Sequence, residues 1–161
     1  METRASIAGH PLHPMLVVFP IGLFVFSFVA DLIFLGTRNA TWSDVAYYAM
    51  AGGILGGVAA AVPGALDLFS MPHSRVRSIG VIHMLINLAV VVLYAINFWV
   101  RSGPEPASAG PIWLSAVAVV LLAVSGWLGG EMVYVHGAGV NEAHAQTRAR
   151  PSGAHAPSPR R

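Results

Sequence analysis

The residues best suited to chemistry are histidines and carboxylates near the ends of long apolar runs. His10 and His13 open the first run, in Gly9-His10-Pro11-Leu12-His13-Pro14. Asp67 closes the second run, His83 lies six residues past Arg77 in the third, and Glu131 and His136 close the fourth. Ionisable groups inside such segments are costly, so each marks a candidate functional position. At about 1.5 Å per helical residue, Asp67, His83 and Glu131 are expected at similar depth on three different runs. His13 and His136 are expected just above them, at the same end. Asp31 lies near the opposite end of the first run.

Imidazole and carboxylate without thiolate suit zinc, iron, copper or manganese. The candidate ligands for such a metal are His10, His13, Asp67, His83, Glu131 and His136. Histidine is also a usual axial ligand of haem iron, and helical bundles commonly hold cofactors in their cores. His13, His83 and His136 are therefore candidate ligands for haem b, with nearby arginines to pair the propionates. Two features weigh the other way. Asp67 and Glu131 put negative charge close to a haem, and no His-Glu-x-x-His signature supports a hydrolytic metal site. A third chemistry is proton relay, from this end into a stripe of His83, Asn87, Tyr94 and Asn97, which share a narrow arc of one helix face.

Plainer readings stand beside these. His10 and His13 each precede a proline, which disfavours helix at both and suits an interfacial turn. Asp67 and Glu131 also fit as helix-end partners of Arg75 or Arg77. His83 fits as a hydrogen-bond partner of another helix. His73 fits as a solvated loop residue, and His144 and His155 fall in a polar tail.

The elements that must position these residues follow from hydropathy. Of 161 residues, 55% are hydrophobic and 10% charged, with mean hydropathy +0.65. Soluble domains carry about 25% charged residues, so a water-exposed surface is excluded for most of this chain. A bilayer core of about 30 Å needs about 20 apolar residues in a helix. Four segments qualify, at about 12–36, 45–69, 79–100 and 112–135. Backbone amides in lipid must be bonded internally, which makes helix the expected form. The connections are short, so neighbours are antiparallel. The expected fold is all-α, an integral membrane four-helix up-down-up-down bundle over residues 1–140. A composition rich in Ala, Pro, Ser and Arg predicts a disordered tail at 141–161. No cleavable leader is expected, because the first nine residues are short and mildly polar.

Four spans put both termini at one end. That end, A, carries Arg4, Arg75, Arg77, Arg148, Arg150, Arg160 and Arg161; end B carries Arg38 and Arg101. The excess predicts a multi-pass protein of the cell inner membrane with cytoplasmic termini. Trp42, Trp99 and Trp113 gather near end B as an aromatic belt would. Small residues recur every four positions in the second run, as Gly52, Gly56, Ala60 and Gly64. Such stripes serve close helix packing, within the chain or in a homo-oligomer. Pro20 and Pro63 are expected to bend their helices. There is no cysteine, which removes disulfides and thiolate ligation, and a net charge of +2 is too small for a nucleic-acid groove.

The opening Gly9-His10-Pro11-Leu12-His13-Pro14-Met15-Leu16, with Phe19-Pro20-Ile21-Gly22, resembles a bacterial membrane family known as domain of unknown function 2231. So do Asp31, the region of Pro63, Gly64 and Asp67, His83, and the closing Gly126-Trp127-Leu128-Gly129-Gly130-Glu131-Met132-Val133-Tyr134 with His136-Gly137. The resemblance covers roughly residues 7–140. It implies a four-helix membrane fold and no settled activity. Relatives resembling fusions to Rieske or cytochrome-type redox modules imply haem or electron transfer. The expected function is a membrane redox or cofactor-binding subunit working with other membrane redox proteins. The alternatives are a small proton-coupled transporter and a non-catalytic assembly partner whose polar groups fix helix registry. No reaction is assigned by the residues alone.

Overall fold

The structure, a computed structural model, describes residues 4–103 and 111–139. It contains four long helices: α1 (Leu12–Thr37), α2 (Ala40–Ser70), α3 (Arg75–Arg101) and α4 (Ile112–Tyr134). All four are long and apolar enough to cross a membrane. The expected four-helix bundle is present. The tail expected at 141–161, with His144 and His155, lies outside the described residues, as does most of the connection before α4.

Helix boundaries follow local chemistry more than hydropathy. α2 begins at Ala40, five residues before the apolar run, because the Asn39 side chain accepts the Thr41 amide at 3.0 Å. α3 begins at Arg75 because Ser74 caps the amide of Arg77 at 3.3 Å. Only Arg38, left-handed at φ +57°, and Asn39 separate α1 from α2. α1 starts at Leu12, so His13 is helical although a proline follows it. Pro14 falls in the first turn, where its missing amide hydrogen costs nothing.

The segment before α1 was not expected to form strands, yet it does. Ser6–Ile7 pairs antiparallel with His10–Pro11. Ala8 and Gly9 have φ of +50° and +79°, the two positive values of a type I′ turn. The Ala5 amide donates to Asp67 Oδ1 at 2.9 Å, and the Leu12 amide to the Ala5 carbonyl at 2.9 Å. This ties the hairpin to the end of α2.

α1 packs along α2 and α3 along α4, with further contacts between α2 and α3 and between α1 and α4. α1 and α3 face each other across the centre. There Phe24 stacks on Tyr94, with ring centroids 4.1 Å apart and planes 10° apart, and Tyr94 donates its hydroxyl to the Phe24 carbonyl at 2.7 Å. Phe24 fits because Gly53 faces it: a Cβ at Gly53 would fall 2.5 Å from Phe24 Cε1. The outward surface is apolar nearly everywhere. Phe19, Leu55, Val62, Phe69, Val120 and Trp127 are all more than half exposed. A surface like this is stable facing lipid and not water.

At end B a charged pair is buried. Arg101 Nη1 and Nη2 each donate to one oxygen of Asp31 at 2.7 Å, and the two side chains are 3% and 0% exposed. Arg101 Nε donates to Asn97 Oδ1 at 2.9 Å, and Asn97 Nδ2 to Ser115 Oγ at 2.8 Å. α1, α3 and α4 are thereby joined by one polar network.

Removing one partner strands the other charge in a low-dielectric interior. Asp31→Ala is expected to cost about 3–5 kcal/mol, read as a lower unfolding midpoint of the detergent-purified protein. Asp31→Leu with Arg101→Met is expected to recover most of the loss; no recovery would contradict this account. Gly53→Ala is expected to cost about 1–3 kcal/mol by overpacking, and added Phe24→Leu should relieve it in the same assay.

Candidate functional site

The expected cluster at end A divides into separate groups. His13, in the first turn of α1, lays its ring against α2. Its Nδ1 lies 2.8 Å from the Ala60 carbonyl oxygen. A carbonyl can only accept, so Nδ1 carries a proton, and in the neutral ring Nε2 keeps its lone pair. The ring sits where Gly64 leaves room, since a Cβ there would fall 2.6 Å from His13 Nδ1.

His83 repeats this arrangement between α3 and α4. Its Nδ1 donates to the Ser125 carbonyl at 2.9 Å, and its ring passes over Gly129, where a Cβ would lie 3.3 Å from Cε1. Ser125 Oγ stands 3.0 Å from the same Nδ1. Asn87 Nδ2 donates to that hydroxyl oxygen at 2.6 Å and to the His83 carbonyl at 2.8 Å. The two imidazoles then meet: their centroids are 6.3 Å apart and their planes 84° apart. Both rings are half-buried.

The remaining candidates lie elsewhere. His10 is exposed in the hairpin, with Nδ1 on the Ala8 carbonyl at 3.0 Å. Asp67 is buried and holds the Ala5 amide. Glu131 and His136 face each other at the end of α4, with Oε1 and Nε2 3.9 Å apart, and His136 Nε2 is buried without a hydrogen-bond partner. Among the described residues no group of three or more His, Asp or Glu stands close enough to hold a metal ion. The arrangement therefore brings together two imidazoles, each with its Nδ1 held by a backbone carbonyl and with ring centroids 6.3 Å apart.

The inward polar stripe on α3 is present, and every member reaches another helix. His83 and Asn87 reach Ser125, Tyr94 reaches Phe24, and Asn97 reaches Ser115. Reading the sequence did not anticipate the Asp31–Arg101 pair or the part played by Ser125. A signal for the pair was there: one acid and one base inside apolar runs, both assigned to end B.

Residues 9–142 match the model of a family described as predicted membrane protein (DUF2231). The chain belongs to this family. The matched range begins at Gly9, within the hairpin turn, and takes in all four helices and every candidate ligand named above. Comparison with curated proteins and with solved structures finds no match.

The seating of the two rings gives a direct test. Gly64→Ala in this DUF2231 protein is expected to break the bond from His13 to Ala60. Gly129→Ala, which meets only a ring carbon at 3.3 Å, is expected to shift His83 by a few tenths of an ångström. Imidazole ¹⁵N shifts of both rings in the two variants would show this. An unmoved His13 signal in Gly64→Ala would contradict the geometry.

Proposed function

We propose that the protein is a membrane redox subunit in which His13 and His83 together bind one cofactor, haem b through its iron or a single transition-metal ion. The observation carrying this is the separation of the two rings. Two imidazoles ligating one ion from opposite sides have centroids about 6 Å apart, from metal–nitrogen bonds of about 2.0–2.1 Å. The 6.3 Å between His13 and His83 fits that requirement. The donor set is complete for haem iron, whose porphyrin supplies four further nitrogens, and two ligands short of structural zinc.

The protein's own groups prepare the nitrogens. The carbonyls of Ala60 and Ser125 hold the Nδ1 protons. That leaves Nε2 as the ligating atom on each ring and raises its donor strength, as outer partners of metal-bound histidines do. Asn87 buttresses Ser125 in turn. A haem or redox metal held there would supply one-electron chemistry, and a single-centre carrier would need membrane partners that deliver and remove electrons. Asn97, Arg101 and Tyr94 support registry, since their polar groups are taken up by neighbouring helices. The orientation proposed is termini in the cytoplasm. Burial of Arg101 with Asp31 supports it, because Arg38 is then the one free arginine at end B among the described residues.

The test is an ultraviolet–visible spectrum, oxidised and dithionite-reduced, with metal analysis of protein purified in detergent without chelators. A Soret band with reduced α and β bands, or one equivalent of metal, is the expected result. His13→Ala and His83→Ala should each remove it while the protein still inserts, and His10→Ala and His136→Ala should keep it. Protein that binds neither haem nor metal would overturn the proposal.

A further inference from the structure

The helices carry a second regularity. Residue n of α1 can be paired with residue n + 70 of α3, and residue n of α2 with residue n + 65 in α4 or at its N-cap, Pro111. Three observations support the correspondence. First, counterparts meet each other in the centre: His13 with His83, Phe24 with Tyr94, and Asp31 with Arg101. Under a two-fold rotation, a residue touches its own counterpart only on the axis. These three contacts run from end A to end B, so they trace an axis along the bundle.

Second, the same bonds recur inside each hairpin. His13 donates to the Ala60 carbonyl, and its counterpart His83 donates to the Ser125 carbonyl, the counterpart of Ala60. Ser27 Oγ donates to the Ala46 carbonyl at 2.9 Å, and Asn97 Nδ2 reaches the Pro111 carbonyl at 3.5 Å. Asn97 and Pro111 are the counterparts of Ser27 and Ala46. Third, every buried residue of α3 and α4 except Gly80 has a buried counterpart in α1 or α2. Gly64 and Gly129, the glycines beneath the two imidazoles, are also counterparts.

We infer that the chain is one helical hairpin used twice about a two-fold axis, and that the imidazole site lies on this axis as a single site built of two equivalent halves. The assignment of a ligand rests on the reading proposed above. The duplication does not. A site on the axis takes one centre per chain, ligated alike from both sides, and so selects a ligand with two equivalent faces. Ala60 with Gly64 and Ser125 with Gly129 are then matched positioning residues, one pair for each imidazole.

The axis also explains the charges at end B. If a first hairpin docked on a second copy of itself, Asp31 would face Asp31; two second hairpins would set Arg101 against Arg101. Like charges in contact oppose both arrangements, while the observed pairing joins opposite charges. The ion pair makes the two halves of one chain prefer each other.

Transposing counterparts across the axis tests the duplication in the full chain without any cofactor. Tyr94→Phe is expected to lower the thermal midpoint in detergent. Phe24→Tyr added to it should restore that midpoint, because the moved hydroxyl then faces the carbonyl of residue 94. Asp31→Arg with Arg101→Asp should likewise outperform either single reversal. If both transposed pairs are no better than their single variants, the duplication is overturned. The on-axis site is tested by titrating hemin into His13→Ala and His83→Ala. Equal loss of affinity, and equal rescue by added imidazole, is expected. Loss in one variant with retention in the other would overturn equivalence. If the unaltered protein takes up no hemin and no metal, the proposed function and the on-axis ligand fall together, and the transpositions still decide the duplication.

Discussion

A polar side chain inside an apolar bundle must find its partner on another helix, and this constraint sets the register of all four helices. Lipid offers no water to a stray amide or carboxylate. Bonding the Asp31 carboxylate to Arg101 fixes α1 against α3 along their length. Asn97 and Ser115 carry that alignment to α4, and Ser27 carries α1 to α2 through the Ala46 carbonyl. The apolar contacts then have little choice. Phe24 reaches the gap at Gly53 and the face of Tyr94 only in this register. The imidazoles at the other end inherit their positions from it, two helical stretches away from the charges.

The number of helices was legible because hydropathy reads length directly, and lipid makes helix the default for an apolar run. The ends were less legible. Asn39 and Ser74 extend α2 and α3 beyond their apolar runs by capping polar first turns, which a hydropathy window does not weigh. Outside the polar stripe of α3, the candidate site was legible in depth and not in azimuth. Counting residues along a helix gives height, so His83, Asp67 and Glu131 were expected at one level. Which way each side chain faces depends on rotation about the helix axis. A helix that is apolar on every face carries no pattern from which to read rotation. His13 and His83 turned toward the centre, while Asp67 turned to the N-terminal hairpin and Glu131 to His136.

The two-fold relation was hidden for a related reason. Apolar positions in lipid tolerate many exchanges of similar size, so counterparts drift apart in identity while keeping their places. Between α1 and α3 the identities are His13 with His83, Leu23 with Leu93 and Phe28 with Phe98, scattered among substitutions. Asp31 and Arg101, the most informative counterparts, are opposite in charge and resemble each other least. Likeness between the halves survives in a few bonds and contacts more than in letters.

The separation of Asp31 from Arg101 along the chain has a consequence for how the protein is made. Ribosomes emit the N-terminal part first, at about 5–20 residues per second. Seventy residues separate the carboxylate from its guanidinium, so α1 waits roughly 4–14 s for its counter-charge at those rates. Throughout that interval a helix with a bare acid must be sheltered at the insertion machinery, or enter lipid with its carboxyl protonated. A chain interrupted before residue 101 would leave Asp31 without the guanidinium that pairs it in the complete fold.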